Sequence, residues 1–142
     1  MAPQTVKRKI ISTKHAPTPI GPYSQAVLVD RTLYFSGQMG LNPKTMELVS
    51  GGIEAETHQT LENIRQVLKA ANCDFKDVVK ITILLQDMAH FTIVNEIYAQ
   101  CFKEHQPARA AYQVAALPTG GLIKIDGVAV VNSLMAGSVH QY

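Results

Sequence analysis

AETHQTLENIRQVLKAANCDFKDVVKITILL, residues 55–85, decides the fold. In its first half Leu61, Ile64, Val67, Leu68 and Ala71 fall on one stripe at helical spacing, while Glu62, Arg65, Gln66 and Lys69 face away. This predicts an amphipathic helix over 55–71, and Asn72 suits the left-handed residue that ends it. The second half, 78–85, is rich in β-branched residues. As a strand it puts Val79, Ile81, Ile83 and Leu85 on one face. A striped helix running into a one-faced strand implies a helix layer laid on a sheet.

The rest of the chain extends that plan. Upstream, 6–12 reads as a strand, and 25–29 with 32–36 as a hairpin turning at Asp30-Arg31. A loop follows through Asn42-Pro43 to Ser50-Gly51-Gly52. Downstream, a second helix is predicted over 89–103, with Asp87 near its start and Phe91, Val94, Tyr98, Cys101 and Phe102 as its buried stripe. Pro107 stops it. Strands over 110–114 and 122–131 complete the chain, joined by a turn at 117–121. The order is β, hairpin, α, β, α, β, β. It predicts an α+β fold: one mixed sheet with two helices packed on one face. Residues 1–142 form a single domain in this reading, with 1–9 a partly flexible N-terminus. The sheet face without helices needs a cover, which argues for a homo-oligomer.

Composition narrows the function classes. Of 142 residues, 46% are hydrophobic and 17% charged, enough apolar side chain for a real core. The net charge of +2 is too mild to imply nucleic acid. Lys7, Arg8 and Lys9 read as the solvated face of a strand, with a nucleic-acid patch as the competing reading. No stretch has the ~20 apolar residues of a membrane helix, and the N-terminus lacks the apolar core of a secretory signal. Asp30 is the first acidic residue, which leaves a mitochondrial leader open. Cys73 and Cys101 make neither a disulfide framework nor a zinc pattern. These features favour the cytosol. The five histidines, at 15, 58, 90, 105 and 140, include no local metal pair, and phosphate loops and a Ser/His/Asp triad are lacking.

Four segments carry a resemblance: GPYSQAV at 21–27, SGQ at 36–38, VNEIY at 94–98 and PARAAYQVAALP at 107–118. With matching order and spacing over roughly 10–131, the chain resembles the RidA family (reactive-intermediate deaminase A, also called YjgF), particularly its animal branch of the perchloric-acid-soluble L-PSP type. The resemblance implies a chorismate-mutase-like α+β domain assembled as a homotrimer, with active sites in the clefts between subunits. It implies hydrolysis of 2-aminoacrylate and 2-aminocrotonate, or their imine tautomers, to 2-oxo acids and ammonia. No cofactor and no metal are implied.

The family's site residues carry over by position. Arg109 matches the arginine that binds the substrate carboxylate; a guanidinium offers two parallel N–H donors, which lysine does not. A plain surface salt bridge is the competing reading. Tyr23 matches a pocket-lining tyrosine, against partial burial with its hydroxyl satisfied by backbone. Ser36 and Gly37 match the strand end that approaches the ligand, although a tight turn also explains a glycine. Asn95 lies next to Val94 of the buried stripe and needs polar partners, and the family uses this position near the pocket. Ala110 supplies a backbone N–H beside Arg109.

One position departs from the pattern. The family's last strand carries two glutamates around an isoleucine, and the first of them orients and polarises the attacking water. Here that position is Lys124, and the second is Asp126. Losing a positioned acid/base group commonly costs roughly 10²–10⁴-fold in rate, whereas a second cation near Arg109 favours an anionic ligand. A deaminase is the leading expectation. A catalytically weakened ligand-binding or protein-interaction module, and a ribonuclease or translation inhibitor, are the alternatives.

Overall fold

A computed structural model describes residues 5–131. Eight principal elements follow one another: β1 (Arg8–Ile11), β2 (Ala26–Val29), β3 (Thr32–Gln38), α1 (Gly52–Ala70), β4 (Val78–Leu85), α2 (Phe91–Cys101), β5 (Ala108–Gln113) and β6 (Ile123–Val130). The strands form one sheet in the order β1-β2-β3-β6-β4-β5. Among the described strands only β4 and β5 run parallel, and α2 is their crossover. Arg8 and Lys9 already belong to β1, and His140 lies outside the described residues.

Both helices cover one face. Ile81, Ile83 and Leu85 of β4 and Ile123 and Ile125 of β6 are fully buried, in one cluster with Ile64, Val67 and Leu68 of α1 and Val94 of α2. The alternation is clean along β6, where residues with odd numbers face the core and even ones are half-buried. The predicted α+β layer is the observed one.

Several boundaries move for local reasons. The hairpin turns at Asp30, whose φ of 52° is left-handed; its carboxylate accepts the Lys7 N–H at 3.1 Å. Helix α1 starts at Gly52, earlier than its apolar stripe, because Gly51 (φ 117°) and Gly52 (φ 75°) make the left-handed entry. Asn72 is left-handed, with φ 59°. The predicted second helix begins as a 3₁₀ turn, Met88–His90, whose cap is the Asp87 carboxylate accepting the Ala89 N–H at 2.9 Å. Val79 does not share a face with Ile81. Val78 pairs with Ala129 and Lys80 with Val128, so Val79 bulges out of the ladder and is 47% exposed.

Three buried polar side chains on or against the core tie loops to it. Asn63 of α1 donates to the carbonyls of Met39 and Leu41, both at 2.9 Å. The Glu56 carboxylate accepts the Leu122 N–H at 2.8 Å. Gln25 clamps the segment before it, accepting the Thr13 N–H at 2.7 Å and donating to the Pro17 carbonyl at 2.9 Å. Such groups have no water to turn to, so losing one partner strands the other. Asn63→Ala should therefore cost about 1–3 kcal/mol, read as a lower urea midpoint at unchanged slope. An unmoved midpoint would show that the loop over 39–41 does not depend on Asn63.

Candidate active site

Arg109 sits on β5, the edge strand, opposite Ile81 of β4. Ile81 faces the helices, and so does Arg109. Its guanidinium donates to the Asn95 side-chain oxygen at 2.8 Å. It also lies over two rings of α2, 4.7 Å from the centre of Tyr98 and 5.4 Å from that of Phe91. Phe91, Asn95 and Tyr98 are spaced i, i+4, i+7, so one helical stripe cradles the cation. Asn95 was expected to need partners, and Arg109 is one; Asn95 itself is exposed. Burial pushes the Tyr98 phenol up to about 12, against the opposing pull of Arg109. Its hydroxyl is buried beside the guanidinium without meeting hydrogen-bond geometry. The cradle opens into a hollow of about 330 Å³. Two rings and an amide thus hold the planar fork in place, with donors left over for an anion.

A second group lies on the other face. Tyr23, Ser36, Gly37, Lys124 and Asp126 line a hollow of about 370 Å³. A β-bulge builds it. Phe35 pairs with Gly127 and Gln38 with Ile125, so Ser36 and Gly37 together oppose Asp126 alone. The Ser36 hydroxyl donates to the Ser24 carbonyl at 2.6 Å. Gly37 has no left-handed φ. A methyl there would overlap the Lys124 Cε, so any larger residue would push the lysine side chain aside. Burial raises the Asp126 carboxyl above its ordinary range, while the Lys124 charge, a hydrogen bond from Thr82 and the Lys80 charge pull it down. Tyr23 is 49% exposed.

The two groups do not meet within one chain. Lys124 stands opposite Leu84 on the open face, whereas Arg109 is on the helix side. Strand β6 is separated from β5 by β4. Ala110, opposite Thr82, turns toward the open face. The Arg109–Asn95 pair and the Tyr23–Ser36–Gly37–Lys124 group are therefore two separate groups on opposite sides of the sheet. Tyr98 and Phe91 as the seat of Arg109 were missed in the sequence reading, although their spacing with Asn95 was the available signal. The same open face carries Ile10, Tyr34 and Tyr112, 53%, 52% and 57% exposed.

Comparisons with known proteins identify the family and the fold. The family model for endoribonuclease L-PSP matches residues 13–131. The chain belongs to the L-PSP (RidA) family. A human 2-iminobutanoate/2-iminopropanoate deaminase is a family relative 58% identical over 132 residues, which are 93% of this chain and 96% of that protein. The chloroplastic Reactive Intermediate Deaminase A of Arabidopsis thaliana is 46% identical, covering 89% of this chain and 68% of its own length. Among solved structures of the family, RidA from Psychrobacter superposes with a TM-score of 0.84 at 44% identity, covering 87% of this chain and 99% of that one. Escherichia coli TdcF with bound serine gives 0.81 at 36% identity, covering 86% and 98%. Among the described residues no helix is long and apolar enough to cross a membrane.

The electrostatics of the open-face group yield a direct check. Lys124→Met removes a charge that lowers the Asp126 pKa, so that pKa should rise further. Carboxyl carbon shifts followed through an NMR pH titration report it. An unchanged or lower Asp126 pKa would mean that the two side chains do not share the hollow.

Proposed function

We propose that this chain is a 2-iminobutanoate/2-iminopropanoate deaminase. It converts these imines, and their enamine tautomers 2-aminocrotonate and 2-aminoacrylate, to 2-oxo acids and ammonia. The reading is supported by the human relative of that name, which aligns over 93% of the chain. The observation that carries it is the seated guanidinium of Arg109, fixed by Asn95 and two ring faces at an open edge. A fixed planar fork fits a small carboxylate, offering two parallel N–H donors to its two oxygens.

The working unit is a homotrimer with its sites between subunits. Two half-sites on opposite sides of one sheet become one site only when the Arg109 edge of one copy meets the open face of another. Exposed Ile10, Tyr34 and Tyr112 supply that face with apolar contact area. The ribonuclease reading has less support in the sequence, since aromatics are only 6% and no basic stripe runs alongside them. Two free thiols, Cys73 buried and Cys101 half-buried, suit a reducing compartment such as the cytosol.

The chemistry asked of the site is modest. Arg109 grips the carboxylate and holds C2 of the imine over the open-face hollow. Tyr23 and the Ser36–Gly37 bulge shape the wall around the substrate side chain. Addition at C2 makes a tetrahedral carbon, and a proton must then reach nitrogen before ammonia leaves.

Enamine generated in situ from threonine by a dehydratase, with its decay followed optically, tests the proposal. The protein should accelerate the decay. Arg109→Ala should abolish the effect, and Arg109→Lys should lower kcat/KM roughly tenfold to a hundredfold, since one point charge replaces a two-donor fork. Sedimentation should give three chains per particle. Acceleration that survives in Arg109→Ala, or a monomer at assay concentration, would overturn the reading.

A further inference from the structure

The open-face hollow holds a group whose chemistry differs in kind from water activation. Among the described residues lining it, Lys124 carries the only amine and Asp126 the only carboxylate. An ammonium has three donors and no lone pair, so it does not take a proton from water as a carboxylate would. The free amine, however, is a stronger nucleophile than water toward the C2 of an imino or oxo acid.

We propose that Lys124 is a covalent catalyst that forms a ketimine with the 2-imino acid, so that ammonia leaves by amine exchange before water enters. The inference rests on the deaminase reading above and names the nucleophile in that site. The free amine of Lys124 attacks C2; an N–C bond forms and the imine π pair moves to the substrate nitrogen. Two protons pass in turn from the Lys124 nitrogen to the substrate nitrogen, which departs as ammonia and leaves a C=N bond to Lys124. Water then adds to C2, the bond to Lys124 breaks, and the 2-oxo acid and the free amine are released. No electrons are gained or lost, and the overall reaction is unchanged.

Two features of the site support this. The methylene stem of Lys124 lies against the bare Cα of Gly37, where even one methyl would collide with it. The stem is therefore laid along a fixed surface, which reduces the rotamer freedom lost when the amine is positioned. Asp126 is two residues along the same strand, roughly 6.6 Å away on the same face. It lines the same hollow and is a fitting carrier for the protons exchanged between the two nitrogens. Tyr23 lines the same hollow.

The test uses the full chain, 2-oxobutanoate as probe and sodium borohydride, which reduces a C=N bond to a stable secondary amine. Intact-mass spectrometry should show one reduced adduct per chain, and peptide mapping should place it on Lys124. It should vanish in Lys124→Met and in Lys124→Arg, which keeps the charge but forms no ketimine, and persist in Lys80→Met. Lys124→Arg should also lose about a hundredfold in the acceleration of imine decay. No adduct, or one that survives in both Lys124 variants, overturns the inference. If the native chain speeds imine decay without any adduct, the covalent step fails and the deaminase reading stands. If the adduct forms without acceleration, the deaminase reading fails and the reactive amine stands.

Discussion

A sheet with helices on one face alone has an unfinished side, and most of this molecule follows from that. The helix side is closed by α1 and α2 over a continuous apolar cluster. The other side presents Ile10, Tyr34 and Tyr112 beside lysines and a carboxylate. Because strand side chains alternate, neighbouring residues of one strand serve opposite sides. On β6, Ile123 and Ile125 fill the core while Lys124 and Asp126 line the open-face hollow. On β5, Arg109 and Ala110 are likewise divided. In the proposed homotrimer this division makes a second copy part of the site and not an accessory to it.

Arg109 is held in place before any ligand arrives. Arg109 would be a wandering surface cation if α2 did not offer Phe91, Asn95 and Tyr98 along one stripe. The stem of Lys124 passes over the bare Cα of Gly37 at the Ser36–Gly37 bulge. Holding a long side chain in place removes an entropic cost that binding a small acid does not easily cover. The Gln25 clamp on the segment over 13–17 does the same for the wall that carries Tyr23.

The reading of 55–85 captured the layer, since an amphipathic stripe and a β-branched run are strong periodic signals; strand β4 falls where it was expected. Val79 was placed on the wrong face because strict alternation takes no account of a bulge. The Ser36–Gly37 bulge was invisible for the same reason, and its glycine was as compatible with a turn as with a lysine lying on it. Arg109, Tyr23, Ser36, Gly37 and Asn95 were singled out through the resemblance and not through periodicity. That they divide between two sides of the sheet depends on strand order, which one-dimensional patterning does not carry. The ring seat under Arg109 needed the crossover angle of α2 over β5, a tertiary fact.

The claim at the centre is that one site draws Arg109 from one chain and Lys124 from another. Two inactive variants, Arg109→Ala and Lys124→Met, would be co-refolded at equal amounts and assayed for imine decay. Random mixing in a trimer leaves about a quarter of the sites with both native groups, so about a quarter of native activity should return. If the mixture stays as inactive as either variant alone, the two half-sites do not meet across a subunit boundary and the account is wrong.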